Sequence, residues 1–172
     1  ILETKPQETR DAVMTTLLGL VLRELFEFGY MQTDPNFANY RWQEDSGKIV
    51  LLDFGAARPV PDETADAYRR LMRAGLDGDS DALRDTLIDA AFVSPVALQR
   101  HKPALDAMIA TLMTHLGKHG LFDFADRSFT DEVRQQVETI AADRSSWHIP
   151  PADTLFVQRK VSGTALLAIR MK

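Results

Sequence analysis

Two short segments hold the residues best suited to chemistry. In the first, Tyr30-Met31-Gln32-Thr33-Asp34-Pro35-Asn36-Phe37-Ala38-Asn39, an aspartate (Asp34) precedes an asparagine (Asn39) by five positions. In the second, 19 residues beyond Asp34, Asp53 opens an Asp53-Phe54-Gly55 turn. Asp53 and Asn39 offer one carboxylate and one amide oxygen, the hard donors that Mg²⁺ accepts while keeping several waters. Asp34 is a second carboxylate, able to orient or deprotonate an attacking hydroxyl or water. Such a set suits transfer of a phosphoryl group from a nucleoside triphosphate, whose charge a divalent cation must offset. Neither motif says much alone. The bland alternative is a helix end that happens to be acidic, and the order and spacing of the two motifs weigh against it.

The intervening elements must hold the two loops in one cleft. From Gln7 to Phe28 the apolar residues Val13, Met14, Leu17, Leu18, Val21, Leu22, Leu25 and Phe26 follow helical spacing, with Gly29 as a natural stop. Thr4 is a candidate N-cap and Pro6 suits the first turn. The Tyr30–Asn39 stretch reads as a structured loop. Two strand-like runs follow, about 40–43 and 48–52, joined by Glu44-Asp45-Ser46-Gly47 as a four-residue hairpin connection. The second run is continuously apolar, which predicts burial on both faces. Helices are expected near 62–75, 79–91, 95–117, 129–143 and 153–170, and nothing regular outside the hairpin is expected to be strand.

Composition bounds the rest. The 172 residues include 45% apolar and 26% charged side chains, ordinary for a globular chain able to bury a core. With 20 basic and 25 acidic residues the formal charge is −5, and no basic patch suited to nucleic acid stands out. The absence of cysteine excludes a disulfide framework, thiolate metal sites and a cysteine nucleophile. No run approaches the roughly 18 apolar residues of a membrane span, and no signal peptide is recognisable. The chain opens on Ile1 and reads as a fragment of something longer.

The segments Gln32-Thr33-Asp34-Pro35-Asn36-Phe37-Ala38-Asn39 and Leu51-Leu52-Asp53-Phe54-Gly55-Ala56-Ala57-Arg58 resemble the catalytic-loop and metal-loop motifs of the UbiB/AarF atypical kinases. These kinase-like proteins support ubiquinone (coenzyme Q) biosynthesis. Leu22-Arg23-Glu24-Leu25-Phe26-Glu27-Phe28-Gly29-Tyr30-Met31 is similar to that family's lead-in helix. The resemblance implies a mainly α fold, the C-terminal lobe of a protein-kinase-like protein with one small β-hairpin, spanning 1–172 as one domain. It implies Asp34 as the catalytic-loop aspartate, Asn39 and Asp53 as metal ligands, and Asn39, Asp53, Phe54 and Gly55 at the nucleotide, with ATP and Mg²⁺ as ligands of the intact protein. The phosphate loop, the lysine and the Lys-x-Gly-Gln motif would lie in an N-terminal lobe upstream of Ile1, so the fragment itself is expected to be inactive. A cytoplasmic setting with peripheral contact at the inner membrane, and a small-molecule or lipid-quinone precursor as a further partner, belong to the same expectation.

Two departures from protein kinases bear on substrate. Gln32-Thr33-Asp34 stands where those enzymes carry His-Arg-Asp, and Pro35-Asn36 where they usually carry Leu and Lys. Only Ala56 to Pro61 separate the Asp-Phe-Gly turn from the next helix, too few for a peptide-docking segment. A small-molecule kinase or ATPase is therefore favoured. The rivals are an aminoglycoside- or choline-kinase-like phosphotransferase, against which the Gln-Thr-Asp sequence weighs, and a non-catalytic nucleotide-sensing scaffold. Elsewhere, His115 and His119 at i, i+4 could share a metal but lack an obvious third ligand. Trp42 and Trp147 read as core or hinge packing. Arg58 could pair with a carboxylate near the turn or stand in solvent. The apolar residues Leu155, Phe156, Val161, Leu166, Leu167 and Ile169 read as one packing side of the last helix, with a membrane- or partner-facing role as the alternative.

Overall fold

The computed structural model describes residues 2–116 and 128–171. The chain forms two compact units, Ile1–Ala65 with Ala152–Lys172, and Asp66–Pro151.

The first unit holds both candidate loops. A 3₁₀ turn, Leu2–Thr4, leads into α1, Gln7–Arg23. Its inner stripe is Val13, Met14, Leu17 and Val21, the helical spacing seen in the sequence, and it packs against α6, Ala152–Arg170. The last turn widens into a π-turn, Glu24–Phe28, in which Glu24 and Leu25 are both buried. Gly29, at φ 60°, closes it by donating its N–H to the Glu24 carbonyl, a left-handed conformation that a side chain disfavours.

Four short strands follow: β1 (Tyr30–Gln32), β2 (Tyr40–Gln43), β3 (Lys48–Leu51) and β4 (Ala57–Pro59). The expected hairpin forms from β2 and β3, with Tyr40 opposite Leu51 and Gln43 opposite Lys48. Gly47 at φ 63° makes the turn. The second pair was not expected. β1 and β4 run antiparallel with Met31 opposite Arg58, in segments read from the sequence as loop and spacer. Three-residue strands are too short for a period-two signal, and their partners lie far apart in the chain. The burial expected for the Ile49–Leu52 run is also corrected. Ile49, Val50 and Leu51 are half-buried and Leu52 is 54% exposed, because among the described residues the hairpin stands as a two-stranded sheet.

In α6 the buried stripe is Thr154, Val157, Lys160, Thr164 and Ala168. It is not the apolar set expected from the sequence, since Leu155, Val161 and Leu166 are exposed. The helix turns small and polar residues inward because the loops it supports are polar.

The second unit continues α2 (Asp62–Asp77) and contains α3 (Ser80–Asp89), α4 (Pro95–Leu116) and α5 (Ser128–Ala141). All five later helices fall within about two residues of expectation. Ala74, Leu83 and Ile109 form a core cluster among its described residues, with Leu71, Ala82, Leu87 and Met113 around them. Helix α4 kinks at His101, φ −120°, two residues before Pro103, whose ring obstructs the preceding turn. Asp143 gathers the end of this unit: it accepts from Ser145 and Ser146, ion-pairs with Arg100 at 2.8 Å and hydrogen-bonds to the His101 ring at 3.0 Å. The Ser145 hydroxyl foremost, with His101, the Ser145 N–H and Ser146, holds its carboxyl well below the usual carboxylate range against the opposing effect of desolvation. Trp147 is exposed, its indole N–H donating to the Ala141 carbonyl, so it is not core packing. No described helix is long and apolar enough to cross a membrane.

Candidate functional site

Asp34, Asn39 and Asp53 all belong to the first unit and are tied together by hydrogen bonds. The tie begins at Gln32. Its side-chain oxygen accepts from the Asp34 N–H at 2.5 Å, while its amide nitrogen donates to the Asp53 carbonyl at 2.6 Å. One buried amide thus fixes the main chain of both aspartates. Thr33 adds a second tie, donating its N–H at 3.2 Å and its hydroxyl at 2.8 Å to the Ala56 carbonyl. A third runs from the Leu52 N–H to the Asn39 carbonyl at 2.9 Å. The sequence had shown Gln32 only as a departure from the protein-kinase pattern; its bridging role depends on a residue 21 positions away.

Within the first loop, Asn36 caps the short 3₁₀ turn Phe37–Asn39 by accepting from the Ala38 N–H. That turn carries Asn39 back onto Asp34. The Asn39 amide nitrogen donates to the Asp34 carbonyl at 3.1 Å and to its Oδ2 at 3.0 Å. Both donations use the nitrogen, which leaves Asn39 Oδ1 as the donor atom for a cation. In the second loop Asp53 Oδ1 accepts from the Gly55 N–H at 2.7 Å. A Cβ at Gly55 would come within 3.1 Å of that oxygen and crowd it. Phe54 is 59% exposed.

Helix α6 braces the first loop from behind. A Cβ built at Gly163 would fall on the Pro35 ring, so only glycine allows this approach. One turn earlier, Lys160 is 1% exposed and donates to the Tyr40 hydroxyl at 2.8 Å. It also faces Glu24 Oε2 as an ion pair at 3.4 Å, while Glu24 Oε1 accepts from the Gln32 N–H at 3.2 Å. Burial pushes the Glu24 carboxyl up; the Lys160 ammonium and the Gln32 N–H pull it part of the way back. Beside Lys160, Arg159 places its guanidinium 3.0 Å from Asp34 Oδ1. Sequence reading missed Arg159, Lys160 and Gly163, which act on residues more than a hundred positions away. Arg58 takes neither of its expected roles: its guanidinium stacks on the Phe156 ring of α6, 3.5 Å from the centroid.

The side chains of Asn39 and Asp53 offer oxygen donors of the kind that magnesium accepts. Among the described residues no group of three or more His, Asp or Glu side chains could cage a metal. Asn39 and Asp53 give one neutral and one anionic oxygen, leaving positions for water and phosphate oxygens. Of the pair suggested as a metal site, His119 and the His115 side chain lie outside the described residues.

A family model described as the ABC1 atypical kinase-like domain matches residues 2–87, which include both loops. Zebrafish (Danio rerio) "Atypical kinase COQ8B, mitochondrial" is 31% identical over 166 residues, covering 96% of this chain and 26% of that protein. The rat (Rattus norvegicus) protein of the same name is 32% identical, with 96% and 31% covered. "Atypical kinase COQ8, mitochondrial" of Saccharomyces cerevisiae is 32% identical, with 96% and 33% covered. The chain thus spans about a third or less of the length of these relatives.

Proposed function

The chain belongs to the ABC1 atypical kinase-like family, and from that premise we propose that it is the C-lobe of an ATP- and Mg²⁺-dependent enzyme acting in ubiquinone biosynthesis, as an ATPase or small-molecule kinase. The observation that carries the reading is the Gln32 amide, which joins the main chain of Asp34 to that of Asp53. A structural turn needs no such link; a shared cleft does.

In this reading Asp53 and Asn39 hold the metal, Phe54 and Gly55 shape the turn beside the nucleotide, and Asp34 receives the proton of the attacking hydroxyl or water. ATP bound with Mg²⁺ supplies the phosphoryl group and much of the charge neutralisation. A second lobe, outside these residues, supplies the phosphate loop and lysine. The exposed Phe28, Tyr30, Leu52 and Phe54 are apolar surface for that lobe to shelter. Without it the 172 residues turn over no ATP above background. The β4 pairing with β1 takes up the chain after the Asp-Phe-Gly turn, which supports a small acceptor over a peptide. The setting proposed is cytoplasmic with peripheral contact at the inner membrane.

The test uses the full-length protein, with calorimetric titration by Mg²⁺–nucleotide, turnover and melting measured on each variant. Asp53→Asn weakens Mg²⁺-dependent binding most, and Asn39→Ala weakens it less because water replaces a neutral ligand. Asp34→Asn leaves binding nearly intact and lowers turnover by roughly 10²–10⁴-fold. If all three changes lower the melting temperature and leave affinity and turnover alone, these are turn residues and the reading fails.

A further inference from the structure

The first loop contains no cation of its own. From Met31 to Tyr40 there is no Lys or Arg, and Asn36 stands two positions after Asp34, where protein kinases usually carry a lysine. A phosphoryl group in transfer spreads negative charge over its equatorial oxygens. A carboxylate beside it, unneutralised, repels that charge. The structure brings a cation to this place from elsewhere: Arg159 reaches Asp34 Oδ1 at 3.0 Å.

Arg159 is poorly explained as a stabilising ion pair. Its side chain is 61% exposed, and exposed pairs of this kind contribute about 0–1 kcal/mol. It is nevertheless held in register. The next residue, Lys160, is buried against Glu24 and Tyr40, and Gly163 lies against Pro35. Helix α6 cannot rotate without breaking both contacts, so Arg159 stays aimed at Asp34. The guanidinium carries five donors in a rigid fork. One hydrogen bond holds it to Asp34, and the exposed remainder can meet an anion arriving beside that carboxylate.

We propose that Arg159, supplied by α6, is the catalytic cation that meets the transferring phosphoryl group beside Asp34. The inference rests on the phosphotransfer reading above. In the step, the acceptor oxygen bonds to the γ-phosphorus as its proton passes to Asp34. The bond from that phosphorus to the β–γ bridging oxygen breaks, its electron pair leaving with ADP. Arg159 remains protonated and donates hydrogen bonds to the γ-phosphoryl oxygens, a contact that strengthens as their charge redistributes.

The experiment measures ATP turnover, calorimetric binding of Mg²⁺–ADP and thermal melting of the full-length protein, the parent beside Arg159→Ala, Arg159→Gln and Arg159→Lys. Mg²⁺–ADP lacks the γ-phosphoryl and so reports on the nucleotide site without this contact. Arg159→Ala and Arg159→Gln should lower turnover by about 10³-fold or more, with Mg²⁺–ADP affinity and melting temperature unchanged. Arg159→Lys should recover part of the rate, and added guanidinium should rescue Arg159→Ala. Turnover undiminished in Arg159→Ala and Arg159→Gln overturns this inference and leaves the phosphotransfer reading standing. A fall in turnover matched by equal loss of ADP affinity or of melting temperature also overturns it, by making Arg159 structural. A parent protein without turnover overturns the reading and this inference together.

Discussion

Replacing Lys160 with methionine keeps the length and removes the ammonium from a site where it is 1% exposed. Glu24 is then a buried carboxylate with the Gln32 N–H as its remaining partner at 3.2 Å. Breaking a buried pair from one side costs about 3–5 kcal/mol, because the other charge is left without compensation. For a chain of this size that is on the order of 10 °C in melting temperature. The sign of the pH dependence is a sharper test than the size. Burial already raises the Glu24 carboxyl, and Lys160 opposes the rise. Without Lys160 the folded state holds its proton to higher pH than the unfolded state does. Between those two pKa values the folded state binds more protons, so stability falls as pH rises, by up to about 1.4 kcal/mol per pH unit. The deficit of Lys160→Met relative to the parent should therefore shrink on acidification toward about pH 5. Adding Glu24→Gln, which removes the charge, should recover part of the loss and flatten the pH dependence. Urea unfolding in a Trp147→Phe background reports this directly, since Trp42 is then the sole indole and lies in the same unit as the pair. A cost below about 1 kcal/mol, or a deficit that does not change with pH, refutes the reasoning.

Four further outcomes are expected. Gln32→Met leaves the Asp34 N–H and the Asp53 carbonyl without their partner; it should cost about 2 kcal/mol in urea unfolding and lower turnover of the full-length protein although both aspartates remain. Gly163→Ala pushes the Pro35 loop and should cost about 1–3 kcal/mol with loss of turnover, whereas Gly19→Ala, with nothing within 4 Å of its new Cβ, should stabilise α1 by about 0.5–1 kcal/mol. Asp143→Ala should destabilise the second unit more at pH 7 than near pH 2: a depressed carboxyl contributes fully above its unfolded value of about 4, and that contribution shrinks as pH falls from there toward its lower folded value. Melting curves of mutant and parent at both pH values check it.

Legibility in the sequence followed the range of the interaction. The helices and the β2–β3 hairpin were readable because their signals are local: apolar spacing in α1, Gly29 as a stop, Gly47 in the turn. Asp34, Asn39 and Asp53 stood out through fixed spacing between chemically suggestive types. What joins them did not. The β1–β4 pair, the Gln32 bridge and the three α6 contacts each depend on a partner that no local window contains. Helix α6 misled for a related reason. Its inward side is lined with Thr154, Lys160 and Thr164, and hydropathy places such residues outside until the polar loop they serve is known.

The linked loops also limit how this site could be switched. To swing the Asp53 turn away from Asp34, the chain must give up four hydrogen bonds: from Gln32 to Asp53, from Leu52 to Asn39, and two from Thr33 to Ala56. At about 1 kcal/mol each, they hold an open conformer to on the order of one molecule in a thousand. A regulator acting through that motion would have to supply several kcal/mol of preference for the open form. In the reading proposed above, an effector acts at far lower cost by governing what reaches the loops, whether nucleotide, acceptor or a covering lobe. The two loops behave as one preassembled piece, so in the reading proposed above control falls on access to them and not on their rearrangement.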